Sequence, residues 1–147
     1  MAKFKYRMQN ILDIKLKLEN QAKIAYANAN RVLQEEQAVL QEMMIRRAEY
    51  ELKLKNLMEG SLRVQDINHA RADVNSMKNI IRKQLLVVRK AELSVEEARR
   101  ALNSVMQDRK AHEKLKEKAF EEFKKELQYD EAKEVDQLIS YTYNDRE

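Results

Sequence analysis

The chain has 147 residues, with no proline, cysteine or tryptophan and a single glycine, and 37% of its residues are charged. Turn-forming residues are too scarce for an all-β or α/β domain, which needs a turn about every ten residues, and so many charges leave too little apolar material for a wide globular core. Without cysteine there is neither a disulfide framework nor a thiolate metal site, and no apolar run is long enough to span a bilayer.

The basic start, Met1-Ala2-Lys3-Phe4-Lys5-Tyr6-Arg7, lacks the apolar core of a signal peptide, so a cytoplasmic protein is expected. Phe4 to Leu18 is helical by period, with Phe4, Met8, Ile11, Leu12, Ile14 and Leu18 apolar. From Ala22 a 3.5-residue ladder runs Ala22, Tyr26, Ala29, Leu33, Glu36, Leu40, Met43, Arg47, Tyr50, Leu54, Leu57, with Glu36 and Arg47 as its polar members. Glu59-Gly60-Ser61 ends this helix. Gly60 is expected in the left-handed conformation that closes a helix C-terminus, and Ser61 or Asp66 is a candidate cap for the next segment. Residues 62–66 are read as a short helical turn at the tip.

The return ladder is Ile67, Ala70, Val74, Met77, Ile81, Gln84, Val88, Ala91, Val95, Ala98, Leu102, Val105, with Gln84 its only polar member. Such a sustained repeat marks helices wound around each other. Pairing positions whose numbers sum to 124 sets Leu54 on Ala70, Leu33 on Ala91 and Tyr26 on Ala98, large against small, so that two backbones approach without a void. Ser94-Val95-Glu96-Glu97 matches a capping box, but the repeat passes through it unbroken and the match is incidental. The expected fold is therefore all-α: one long antiparallel coiled-coil hairpin over residues 1–147, with helix 1 about 4–58, turn 59–66 and helix 2 about 67–140.

After Val105 the ladder fails at Arg109, His112 and Lys116, and apolar residues resume in a shifted phase at Leu115, Ala119, Phe120, Phe123 and Leu127. In this register Met1 lies opposite Phe123, which leaves residues 124–147 without a partner in the chain. Leu138 and Ile139 then have nothing of their own to pack on.

Charge is uneven along the chain. Residues 1–31 carry seven Lys/Arg against Asp13 and Glu19, a net of +5; residues 121–136 carry seven acids against three lysines, a net of −4. Lys78, Arg82, Lys83, Arg89 and Lys90 stand in an acid-free stretch, 78–90. That asymmetry suggests distinct partners at distinct places. Without aromatics interleaved for base stacking, no nucleic-acid partner is expected. No Gly-rich phosphate loop, H-E-x-x-H or serine–histidine–acid set is present, and a two-helix seam supplies no dry concave pocket. No enzyme, cofactor or metal site is expected, and His69 and His112 lack convergent ligands at helical spacing.

The opening Phe4-Lys5-Tyr6…Ile11-Leu12-Asp13-Ile14-Lys15…Glu19…Ala22, the glycine-serine break near residue 60, the Leu115-Lys116-Glu117-Lys118 segment and the end Glu131-Ala132-Lys133-Glu134-Val135-Asp136 together resemble the flagellar export protein family FliJ. Gln137 stands where that family's acidic motif carries a second acid. The resemblance implies a central-stalk-like antiparallel coiled coil of the flagellar type III export ATPase, taking part in flagellum biogenesis and motility. Its paired terminal ends would enter a FliI-like hexamer, and it would contact an FlhA-like export gate protein, escort export chaperones and reach the membrane through partners only. The family's gate cluster maps near Met43, Tyr50, Val74, Met77 and Gln84, with Arg46 and either Asp73 or Val74 where the family places aromatics. The ring-contact set is Phe4, Ile14, Phe120, Phe123, Leu127, Leu138 and Ile139. The alternative is a structural scaffold that self-associates through its exposed stripes.

Overall fold

The computed structural model describes residues 2–60 and 63–145, with side chains through Asn144. It holds two helices, α1 (Gln9–Glu59) and α2 (Val64–Asp145), packed against each other as a hairpin, with no strand among the described residues. The contacts gather into two units. One is formed by 21–102, the other by 1–20 together with 103–147.

In the 21–102 unit every position of the two ladders is buried or half-buried, from Ala22 to Leu57 and from Ile67 to Leu102. Its innermost residues are Ala70, Val74, Met77, Ile81, Val88 and Ala91, all on α2. Met77 and Ile81 are buried there alongside the smaller Ala70, Val74, Val88 and Ala91, while the α1 ladder members, Leu33, Leu40 and Leu54 among them, stay half-buried. α2 runs straight through Ser94, as the unbroken repeat requires.

At the tip the expected geometry is corrected in two ways. No described glycine has positive φ. The Gly60 amide instead donates to Asn56 O at 3.1 Å, an ordinary helical bond, so Gly60 itself is not a left-handed cap. The return arm has no separate short turn: α2 is continuous from Val64, and the Arg63 carbonyl accepts from Asp66 N and Ile67 N. Asp66 lies inside the first turn of α2 rather than ahead of it, where its charge suits the helix N-terminus. Ser61, the other candidate cap, lies outside the described residues.

The N-terminal boundary also moves. α1 starts at Gln9, not near residue 4, and Ala2 to Tyr6 is non-helical. Lys3, Lys5 and Arg7 would crowd cations against the positive end of a helix dipole. Phe4 gains more by leaving the helical path, because its ring packs on Phe120 edge-on at 5.1 Å and on Phe123 at 5.4 Å.

Candidate functional site

The second unit begins where the ladder was expected to fail, and it does not fail. Arg109, His112 and Lys116 occupy half-buried seam positions, and Ala119 and Phe123 follow in the same phase. Leu127 comes one residue late, and Leu115 points outward. At Arg109 the seam tolerates charge because an opposite charge meets it. Glu19, three residues before Ala22, is itself a seam position and is 4% exposed. It accepts from Arg109 Nε and, at 3.2 Å, from Arg109 Nη2, while Arg109 Nη1 donates to Glu113 at 2.8 Å. The fork matches two carboxylates at once, which only a guanidinium does. The hydrogen bonds that Arg109 donates to Glu19 and Glu113 raise its pKa, so it stays charged.

Beside this pair, Lys15 Nζ lies 2.7 Å from Asp108 Oδ2 and His112 Nε2 lies 3.6 Å from Asp108 Oδ1. The hydrogen bond from Lys15 holds the Asp108 carboxyl below its usual range; partial burial opposes this, and the Lys15 and His112 charges add to it. His112 Nδ1 is buried with no hydrogen-bond partner among the described residues. The sequence carried a signal for the Glu19–Arg109 pair: opposite charges stand at two seam positions one step from the 124 register.

Of the ring-contact candidates, the structure brings Phe4, Phe120 and Phe123 together. Phe4, Phe123 and Leu127 are half-buried, Phe120 is only just exposed, and Lys124 Nζ sits 4.6 Å above the Phe120 ring. Ile14 stands apart on α1, 55% exposed. Beyond Leu127 every side chain from Gln128 to Asn144 is exposed, including Leu138, Ile139, Tyr129, Tyr141 and Tyr143. Val135, Leu138 and Ile139 share one helical face by spacing, and Glu131, Glu134 and Asp136 border it.

The gate-contact candidates belong to the 21–102 unit and form part of its seam. Val74, Met77 and Gln84 are buried; Met43 and Tyr50 are half-buried. Gln84 Nε2 donates to the Glu36 carbonyl at 3.0 Å and to Glu36 Oε2 at 2.6 Å, so the one polar member of the return ladder is satisfied by a polar member of the first. The apolar side chains exposed nearby are Met44, Ile45, Ile80, Leu85 and Leu86, none of them a ladder position.

Among the described residues no group of acids and histidines could hold a metal ion, and no helix is long and apolar enough to cross a membrane. Neither curated proteins nor solved structures yield a match to this chain. A family model does: the one described as Flagellar FliJ protein matches residues 4–147, essentially the whole sequence, and the chain therefore belongs to the FliJ family.

Proposed function

We propose that this chain is a stalk and adaptor of the flagellar export apparatus. Its terminal unit enters a FliI-like ATPase hexamer, and its 21–102 unit contacts an FlhA-like gate protein. Family membership implies the coarser statement, a component of flagellar export. One observation carries the finer one: the run from Gln128 to Asn144 is helical and entirely exposed, with apolar side chains on an acid-bordered face. Exposed apolar groups gathered on one segment mark a contact surface, and charge around them speeds docking to a complementary surface. Phe4, Phe120, Phe123 and Leu127 form the base of that surface, and Ile14, Leu138 and Ile139 its outlying contacts.

At the gate contact, Met43 and Tyr50 offer their exposed parts, while Val74, Met77 and Gln84 act from beneath by holding the seam. An escort role toward export chaperones belongs to the same reading. So does a cytoplasmic position at the inner face of the membrane, at the base of the flagellum. Binding that favours the assembled ring raises its population and thus ATP turnover.

The test deletes residues 124–147 and measures stimulation of the cognate ATPase. Loss of stimulation with helicity of the remaining hairpin retained is expected, because Leu127 is the one half-buried side chain among the described residues removed. Undiminished stimulation would make the terminal assignment wrong. Sedimentation separates the scaffold alternative: a stalk is monomeric alone and adds one copy per ring, whereas a scaffold self-associates unaided.

A further inference from the structure

The outer face of α2 in the 21–102 unit has no task in the fold. At about 100° per residue, Leu86 points directly away from the seam and Leu93 lies within about 20° of it. Both are exposed, at 66% and 50%. Arg82 and Lys90 flank this ridge at about 40° on either side, and Arg89 and Lys83 at about 60°. All four are exposed, and Lys78, further round, is half-buried. Arg89 pairs with Glu92 at 3.2 Å. Lys78, Arg82, Lys83 and Lys90 have no carboxylate partner among the described residues, so their charge faces solvent uncompensated.

The pattern around the leucines decides what fits. A second helix docking here would need apolar residues three and four positions either side of Leu86. Those four positions are Arg82, Lys83, Arg89 and Lys90, all cations. A nucleic acid would press its phosphates onto the two leucines, with no aromatic for its bases. A plane of anionic headgroups satisfies both features: the leucines enter the boundary of the acyl region while the long cationic stems reach sideways to phosphates. We infer that the Leu86–Leu93 ridge with Arg82, Lys83, Arg89 and Lys90 is a peripheral docking face for an anionic lipid surface. This gives the chain a membrane contact of its own, in addition to the contacts through partners that the family resemblance implies, and it does not rest on the stalk reading.

The full chain is tested by flotation with phosphatidylcholine vesicles containing about 30% phosphatidylglycerol, at low salt, against phosphatidylcholine alone. Binding to the anionic vesicles only, weakening as salt rises, is expected. The triple variant Arg82→Gln, Lys83→Gln, Lys90→Gln lowers partitioning by roughly 100-fold, about fivefold per cation. Leu86→Gln with Leu93→Gln lowers it by roughly tenfold at unchanged charge. Lys53→Gln, Lys55→Gln, Arg46→Gln, exposed cations on α1 in the same unit, leave it within about twofold, since they lie outside the face. Circular dichroism checks that each variant keeps its helicity. The proposal is overturned by absent vesicle binding, by equal binding to both vesicle types, by indifference to either test variant, or by a face that takes an acidic amphipathic peptide and ignores vesicles.

Discussion

The 21–102 unit and the terminal unit share one heptad repeat and interrupt it by different chemistry. In the first, a neutral amide, Gln84, crosses the seam to the backbone and carboxylate of Glu36. In the second, a full charge, Arg109, is held between Glu19 and Glu113. The first unit surrounds its interruption with buried Ile81 and Val88, and the second continues into a segment where nothing is buried. A seam position is thus defined by geometry rather than by apolarity: the helices stay in phase through Gln84 and through Arg109, each of which finds a partner. Burial in the 21–102 unit goes to stability, and its absence past Leu127 leaves apolar surface for another molecule.

The largest expected effect separates those two uses. Ile81→Ala should cost about 2–5 kcal/mol of stability, toward the low end because a two-helix seam relaxes easily. Ile139→Ala should change the melt by no more than about 0.5 kcal/mol yet weaken ATPase stimulation. Thermal melts beside an activity assay check the pair. Comparable destabilisation by both would mean that the exposed run packs on something within the chain.

Next comes the charged layer. Glu19→Leu strips the Arg109 guanidinium of its main partner and should destabilise clearly. Glu19→Leu combined with Arg109→Leu should recover much of that loss, since removing both partners of a buried pair is often neutral where removing one is not. A double-mutant cycle by chemical denaturation measures the coupling. Strict additivity would show that the pair does not act as one unit.

These residues also mark where sequence reading succeeded. Both ladders, the hairpin and the exposed tail were legible because each rests on periodicity, which one sequence carries in full. Three local features were not legible from period alone. Gly60 is not itself a left-handed cap, because its amide makes an ordinary helical bond. Phe4 left the helix because two aromatic rings on α2 offered more than helix propagation did. The continuity of the seam through Arg109 is hidden from a purely apolar period, because its position is polar, although Glu19 stands as its charged counterpart. Of the candidate sites, the terminal set rests on its surplus of apolar residues. The mid-hairpin set came from resemblance alone and lies largely within the seam.

A smaller effect concerns the amide layer. Gln84→Leu removes two hydrogen bonds but leaves Glu36, half-buried, able to reach water. The change should therefore fall within about 1 kcal/mol of neutral, far less than Ile81→Ala. What it should loosen is register, because a lone polar contact across a seam selects one alignment over its neighbours. Cysteine cross-linking of Leu33→Cys with Ala91→Cys and, in a second variant, with Ala98→Cys, each with and without Gln84→Leu, reads this directly: the pair one heptad away, 33 with 98, is expected to cross-link only with the leucine. An unchanged pattern would assign the register to side-chain size alone.

The smallest effect tests whether the charged layer extends to its exposed rim. Asp108 bonds Lys15 at 2.7 Å, and its carboxyl pKa is lowered below the ordinary 3.8, chiefly by that hydrogen bond. A depressed carboxyl stabilises the folded state at pH above its unfolded value, and that contribution is lost as pH falls through the lower folded value. Asp108→Asn should therefore melt slightly earlier than the parent at neutral pH, by a margin that is flat down to about 3.8 and closes below it. Exposure of the pair keeps the margin small and sensitive to salt. His112 faces the same carboxylate at 3.6 Å, so His112→Gln serves as the companion variant. If Lys15 dominates, the Asp108 margin survives that change. If it disappears, the rim is held by the histidine, and the lysine bond is an exposed contact of little consequence.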